Sequence, residues 1–313
     1  MVAAIGDGRT TSELDLDLES LQRSLRRPRT LFSYVMNILT GAATLIALLP
    51  LFSVLYLLVK RGAVALSLAT LTTLPPPAMA PGGGFGNAIV GTLVIVAIAT
   101  LLSVPLGILG AIFVSEFGQG TRTESAVRFS AKVLTGLPSI LAGVFSFAVV
   151  VVATGKFSAP AGGVALALLM LPTVLLTADE AIKGVPARMR EAAIGMGATP
   201  TQVVTKVVVP TAAPAMLTGV MLAVARAAGE TAPLLFTALF SEFWMSRADP
   251  HFLPKTVADL MKPTASLAVM IYNFSGSPFE NQIALAWTAA LVLVLIVLVL
   301  NVIGQALAGR SAD

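Results

Sequence analysis

Long charge-free segments dominate this sequence. Residues 31–59 and 62–115 contain no Asp, Glu, Lys or Arg, and further apolar runs fill much of the second half of the chain. About 20 apolar residues in an α-helix cross the hydrocarbon core of a bilayer, so these runs predict membrane-spanning helices. Charged residues make up 12% of the chain, against about 25% in an ordinary soluble domain. The sequence therefore excludes a soluble globular protein.

We predict an all-α polytopic membrane protein with six transmembrane helices. The run 62–115 is too long for one span, and the prolines and glycines between residues 75 and 84 interrupt it, because neither residue type continues a helix well. The predicted spans are 31–59, 86–114, 133–154, 161–178, 211–240 and 283–307. The remaining divisions are a tail 1–30, a loop 60–85, a five-helix core 86–307 and a C-terminus 308–313.

Basic residues in the connecting segments predict the orientation, since cytoplasmic loops are richer in Lys and Arg than external loops. If the tail is cytoplasmic, thirteen basic residues lie inside and six lie outside. We therefore expect a multi-pass protein of the inner or plasma membrane with both termini in the cytoplasm. Segments 60–85 and 241–282 are then periplasmic loops, and the polar segment 179–210 is cytoplasmic.

The N-terminal tail holds ten of the 36 charged residues of the chain. Leu18, Leu21 and Leu25 recur at helical spacing before a basic cluster, which is typical of a short interfacial helix that ends at Pro28. A disordered tail whose arginines only fix the topology explains the same residues. The sequence leaves both interpretations open.

Several kinds of chemistry are excluded by composition. The chain has no Cys and a single histidine, His251, which we interpret as a loop residue, so we expect no metal site and no catalytic residues. Gly155 and Lys156 are adjacent but lack the preceding glycine of a phosphate-binding loop. Any ATP hydrolysis must then occur on another chain, and we expect no cofactor in this one. Basic residues outside the tail are scattered, which argues against nucleic-acid binding.

The segment 179–210 contains a specific pattern. Small alanine side chains allow close helix approach, and a glycine after them lets the chain reverse without a Cβ clash. The pattern is E-A-A-x3-G-x9-I-x-L-P with valine in place of isoleucine and leucine, formed by Glu191, Ala192, Ala193, Gly197, Val207, Val209 and Pro210. It resembles the coupling loop of binding-protein-dependent ABC importer permeases, which docks on an ATPase subunit. An ordinary amphipathic surface loop is the alternative.

Two charged residues fall inside the predicted fifth span. Arg226 and Glu230 are four positions apart and so share a helical face. A charge in the bilayer costs at least about 2.5 to 3.5 kcal/mol, so Arg226 should face the protein interior with Glu230 as its partner. Pro233 cannot donate to the carbonyl of Gly229, which predicts a kink beside the pair. An arginine fork there suits an oxyanion on a transport path. A purely structural ion pair that fixes helix packing is the other interpretation.

With these residues in view, the chain resembles the PstA family of phosphate-importer permease subunits from about Gly86 to the C-terminus. Two stretches are close to the sequences of that family: LMLPTVLLTADEAIKGVPARMREAA and RAAGETAPLLFTA. The stretch GLPSILAG at 136–143 resembles a segment shared by both phosphate permease subunits. The resemblance implies the MetI-like fold of ABC importer permeases and the import of inorganic phosphate into the cytoplasm. An importer of sulfate or molybdate, or a non-conducting phosphate-status sensor or scaffold, remains an alternative.

The resemblance also implies partners and roles. It implies a heterodimer with a PstC-like permease, two PstB-like ATPase subunits that carry ATP and Mg, and a periplasmic PstS-like phosphate-binding protein, in contact with membrane lipid and no nucleic acid. The expected ATPase-coupling residues are Glu191, Ala192, Ala193, Gly197 and Pro210. The expected substrate-path residues are Arg226, Gly229, Glu230 and Pro233.

Overall fold

The computed structural model describes residues 28–80, 82–246, 254 and 256–310, and all regular secondary structure in those ranges is helical. The predictions for the tail leucines and for His251 lie outside the described residues. The chain divides after Leu57 into two units. The described part of the first unit is the beginning of helix α1, Pro28–Gly62, which was predicted as 31–59.

The second unit begins at Leu58 and contains the last turn of α1 and the other helices. In chain order these are α2 Leu68–Thr72, α3 Gly86–Phe117, α4 Arg122–Thr135, α5 Ser139–Thr154, α6 Ala159–Lys183, α7 Ala187–Gly195, α8 Pro200–Ala228, α9 Ala232–Leu235, α10 Val257–Leu260, α11 Leu267–Ser275 and α12 Glu280–Arg310. The last turn of α3, Phe113–Phe117, is π-helical.

Five described helices are long and apolar enough to cross a membrane: α1, α3, α6, α8 and α12. Helices α4 and α5 pass the same test together and bend by 105° at their junction. If α4 and α5 together form one bent span, the described residues contain six spans. The structure thus confirms an all-α polytopic architecture with up to six spans.

The third predicted span, 133–154, is wrong in its boundary and shape. A separate amphipathic helix, α4, precedes α5, and the chain turns sharply between Thr135 and Ser139. The physical reason is the sequence Gly136-Leu137-Pro138. Gly136 caps α4 with its backbone N–H, and Pro138 both lacks a donor and disfavours helical backbone at the residue before it.

The fifth predicted span, 211–240, begins and ends too late. Helix α8 starts at Pro200, because Thr199 and Gln202 form a reciprocal capping box ahead of it. It ends at Ala228, and the cap residue Gly229 bonds back to Arg226 and Ala227. The cytoplasmic loop predicted at 179–210 is correspondingly shorter, with most of its residues in helices.

The predicted loop 241–282 contains a partly buried helix, α11, that packs against α12. Ser266 caps it by accepting a hydrogen bond from the backbone N–H of Val269 at 3.3 Å. Near it, the ammonium group of Lys262 donates to the carbonyl of Met245 at 3.0 Å and to Asp259 at 2.7 Å. The bond from Lys262 lowers the pKa of the Asp259 carboxyl.

Helices α3 and α6 form the most extensive helix contact in the described residues. Glycine permits this approach: a Cβ on Gly107 of α3 would lie 2.7 Å from Cγ1 of Val174 on α6. Small residues at helix contacts are the usual means of packing in a bilayer, because lipid tails supply no hydrophobic force between helices. The α3–α6 pair is the frame on which α5, α8 and α9 place the candidate site.

Candidate functional site

Arg226 lies in the last turn of α8, and Glu230 follows just beyond the helix end. Nε of Arg226 is 3.6 Å from Oε1 of Glu230, which is an ion pair but longer than a hydrogen bond. The arginine side chain is 54% exposed and the glutamate side chain 18%. The N–H groups of the guanidinium have no hydrogen-bond partner among the described residues. The prediction that Glu230 pairs with Arg226 is confirmed, whereas the predicted burial of Arg226 is not found in this chain.

The predicted kink is a complete helix break. Gly229 caps α8, and Pro233 belongs to the first turn of the short helix α9, where its missing N–H leaves no carbonyl unsatisfied within a helix. Placing the pair in mid-helix was therefore wrong, because the glycine and the proline act together to end α8.

Side chains of two helices line the crevice that holds the pair. Leu169, Met170 and Thr173 come from α6, and Ala223 and Ala227 come from α8. As it stands, the crevice has no room for a sphere the size of a water molecule. The described chain therefore presents the charged pair at the edge of a closed crevice, with the arginine directed outward.

The structure brings together two sequence motifs that were only noted separately. A Cβ on Gly143, in the α5 segment that begins after Pro138, would lie 2.6 Å from Cα of Pro233. This contact places the turn after α8 directly against the backbone of α5. Nothing in the sequence signals that 136–143 and 229–238 touch.

Backbone hydrogen bonds fix the rest of the turn. The carbonyl of Thr237 accepts from the backbone N–H of Ser158, the N-cap residue of α6, at 3.0 Å. The carbonyl of Ala238 accepts from the N–H of Thr264 at 2.9 Å. The hydroxyl of Thr237 is fully buried and donates to the carbonyl of Pro233 at 2.8 Å. The segment that carries Glu230 is thus held in place by α6 and by the stretch before α11.

The predicted coupling loop forms a helix, a tight turn and a second helix. Helix α7 ends in a turn in which the N–H of Gly197 bonds to Ile194 at 2.8 Å and the N–H of Ala198 bonds to Ala193 at 3.1 Å. This is a Schellman motif, and Gly197 has the left-handed φ of +87° that it requires. Pro210 lies in α8, after the π-helical turn Val204–Val208. The role given to Gly197 by the sequence is therefore confirmed in its geometry.

Helix α7 divides its residues between the protein and the surface. Ala193 is the member of α7 that is buried, whereas Glu191, Ala192 and Ile194 are exposed. Met196, in the turn that follows, is 84% exposed. The end of α7 and the turn after it therefore carry an exposed apolar surface. The apolar residues Ile194 and Met196 could have indicated that surface, but the sequence pattern includes only the alanines and the glycine of this stretch.

A buried ionic cluster near α7 was missed by sequence reasoning. Asp179, near the end of α6, accepts hydrogen bonds from both terminal nitrogens of Arg128, one at 3.0 Å. It also accepts from the hydroxyl of Ser115 at 2.6 Å and from Lys183 at 3.0 Å. The cluster joins α3, α4 and α6. In the sequence, Arg128 and Lys183 count only among the basic residues that predict the orientation.

A second ion pair attaches α7 to the same region. Nη1 of Arg190 donates to Oε1 of Glu116 at 2.6 Å, and Nη2 donates to the carbonyl of Ile182 at 2.8 Å. Glu116 precedes Arg190 by 74 positions, so no local spacing could have paired them. Arg190, the residue directly before Glu191, is thus fixed to α3 and α6 by hydrogen bonds of its side chain.

We predict that Gly143→Ala destabilises the chain, because the added Cβ would meet the backbone of Pro233 rather than a flexible side chain. Overpacking of this kind costs about 1 to 3 kcal/mol. The thermal unfolding midpoint of the purified protein measures it. The matched control is Gly136→Ala, whose Cβ would have an ordinary contact of 3.5 Å. Equal midpoints for the two variants would contradict the close approach.

Comparison with known proteins identifies the family. The family model described as "Binding-protein-dependent transport system inner membrane component" matches residues 103–312. The phosphate transport system permease protein PstA of Yersinia pestis is 36% identical over 88% of this chain and 89% of its own length. The PstA protein of Haemophilus influenzae is 38% identical over 84% of this chain and 89% of its own length.

Solved structures show the same fold. A chain of a bacterial alginate ABC transporter, in complex with an alginate pentasaccharide-bound periplasmic protein, matches with a TM-score of 0.61 and 14% identity over 93% of this chain and 99% of that chain. A chain of the inward-facing MetNI methionine ABC transporter matches with a TM-score of 0.51 and 19% identity over 73% and 94%. The expected MetI-like fold is confirmed. The chain is a multi-span helical membrane permease and belongs to the PstA family of phosphate transport system permease proteins.

Proposed function

We propose that this chain is the permease subunit of an ATP-driven ABC importer that moves inorganic phosphate from the external side into the cytoplasm. The observation that carries the proposal is the similarity to PstA proteins, named for phosphate transport, over more than four fifths of the chain. In this role the chain supplies a path and not a catalytic site. ATP hydrolysis falls to the partner ATPase.

Arg226 is the residue we propose for contact with phosphate. Its guanidinium is half exposed and keeps its planar fork of N–H donors outside the ion pair with Glu230. Such a fork matches the geometry of phosphate oxygens and can donate two parallel hydrogen bonds. Thr173 lines the same crevice and adds a hydroxyl group beside the path.

Glu230 is proposed to limit how tightly the anion binds. A path must bind its ion well enough to admit it but weakly enough to release it. The carboxylate at 3.6 Å competes for the guanidinium and repels an anion close to it. Gly229 and Pro233 support this arrangement, because together they end α8 and start α9 on either side of Glu230.

We propose that a second permease chain covers the exposed side of Arg226. A charged side chain in a membrane protein normally faces the bundle interior or a water-filled cavity. A PstC-like partner would supply the other wall, and opening alternately to the two sides would move the ion past the pair. A PstS-like binding protein would deliver phosphate on the external side.

Helix α7 is proposed as the docking element for one of two PstB-like ATPase subunits that carry ATP and Mg. Glu191, Ala192 and Met196 offer an exposed surface with one charge and apolar flanks. Ala193 seats the helix on this chain, and Gly197 makes the turn into α8, which continues through Pro210. Helix α8, whose first turn follows that of Gly197, carries Arg226 at its other end.

Reconstitution tests the function as a whole. The chain is assembled with its permease, ATPase and binding-protein partners in vesicles, and uptake of labelled phosphate is measured with ATP inside the compartment that corresponds to the cytoplasm. Phosphate uptake that depends on ATP is the expected result. Uptake of sulfate or molybdate in its place would overturn the substrate, and an assembled complex that takes up none of these anions would favour a sensor or scaffold.

We predict that Arg226→Ala abolishes phosphate uptake while the complex still assembles, because the variant removes the fork and the side chain it truncates is half exposed. Arg226→Lys keeps the charge but loses the fork, so uptake should fall by at least about tenfold, equivalent to about 1.4 kcal/mol. Uptake per assembled complex is the measurement. Lys132→Gln, which removes an exposed cation of α4, is the control. Normal uptake by Arg226→Ala would assign the pair to helix packing alone.

The proposed orientation gives a separate prediction. Because the sequence contains no Cys, single cysteines can be introduced without a background signal. Gly195 suits the cytoplasmic side, since its Cβ position is open, and Phe243 suits the external side, since its ring is exposed. An impermeant maleimide applied to intact cells should label position 243 and not 195. The reverse pattern would invert the topology.

A further inference from the structure

The π-helical turn at the end of α3, Phe113–Phe117, connects two different parts of the protein through neighbouring residues. Ser115 donates its hydroxyl to Asp179 at 2.6 Å, and Glu116 accepts from Arg190 at 2.6 Å. One residue therefore contacts the end of α6 and the next contacts α7. Single π-helical turns within α-helices frequently occur at functional positions.

The Ser115 side of this turn is a rigid anchor. Asp179 is buried, and three side chains donate to it, so its charge is compensated on all sides. Removing one partner of a buried ion pair strongly destabilises a protein, because a charge then remains without compensation. The cluster thus holds the ends of α3, α4 and α6 together as one body.

The Glu116 side reaches the coupling helix. The side chain of Glu116 is 10% exposed, and its carboxylate accepts a hydrogen bond from one terminal nitrogen of Arg190. The other terminal nitrogen donates to the carbonyl of Ile182 in the last turn of α6, which also accepts from the backbone N–H of Val185 at 3.2 Å. Arg190 therefore joins α7 to α3 and to α6 through one planar group.

Apolar packing also holds α7. Its buried residue Ala193 belongs to a hydrophobic cluster with Ala111 of α3, Ile182 of α6 and Val203 of α8. Packing of this kind has no preferred direction, whereas the hydrogen bonds of a charged planar fork fix both distance and orientation. Arg190 therefore sets the orientation of α7 relative to the anchored helix ends.

We propose that Arg190 and Glu116 are positioning residues that transmit the movement of α7 to the ends of α3 and α6. The inference rests on the proposed function, because α7 moves only if an ATPase subunit docks on it. The pair contacts neither the transported ion nor the nucleotide. Its role is to make α7 and the anchored helix ends move as one unit.

A double-mutant cycle tests the pair. Glu116→Gln and Arg190→Gln are compared singly and together in the reconstituted complex, with phosphate uptake and ATP hydrolysis measured in the same vesicles. Each single variant should lower the phosphate moved per ATP by about tenfold while hydrolysis continues. The double variant should fall no further, because both residues act through one interaction. Arg122→Gln, an exposed cation at the start of α4, is the control and should couple normally.

Three results of this cycle would overturn the proposal. Normal phosphate per ATP in both single variants would show that the pair transmits nothing. Losses that multiply in the double variant would show that the residues act independently. Loss of the ATPase from the purified complex would assign Arg190 to docking instead of transmission.

A distance measurement separates this inference from the substrate assignment. Spin labels are placed at Ala187, the first residue of α7, and at Phe129 on α4, both of which are exposed. The assembled complex should give one narrow distance distribution, and Arg190→Gln should broaden it, whichever anion is transported. A wild-type complex without phosphate uptake that still shows this contrast would refute the proposed substrate alone. Equal distributions in both complexes would refute the positioning role.

Discussion

Close approach of helix backbones is the interaction on which this structure depends. In a bilayer no hydrophobic force drives helices together, so packing requires small residues where the axes approach. Gly107 lets α3 approach α6 at Val174, and Gly143 lets α5 approach the turn at Pro233. The first contact forms the frame, and the second sets Glu230 against it. A methyl group at either position would displace the elements that hold the charged pair.

Much of the fold follows from hydropathy alone, because spans must be long, apolar and helical. The residues at which the spans begin and end do not follow from hydropathy. The break at Pro138 and the end of α8 at Gly229 depend on single residues, and a charge-free run conceals them. Helix α8 also begins eleven residues before its predicted start, because the capping box at Thr199 outweighs the polarity of the sequence that follows.

The candidate site was predicted in part. Arg226 and Glu230 can be identified from the sequence because they are charged residues one helical turn apart within an apolar segment. The turn at Gly197 is found because its pattern is local. Arg190 and Glu116 are separated by 74 positions, and their pairing arises only when α3 and α7 meet. The exposure of Arg226 could not be predicted either, since it depends on which side of α8 the other helices leave uncovered.

The narrowness of the crevice beside Arg226 decides where water can pass the charged pair. Protons move readily along an unbroken file of water molecules, and a site that excludes water prevents such leakage. The wall that this chain supplies among Leu169, Thr173 and Ala227 has no space for a water molecule. Any file of water past the pair must therefore run along the exposed side of the Arg226 guanidinium, where this chain leaves it uncovered.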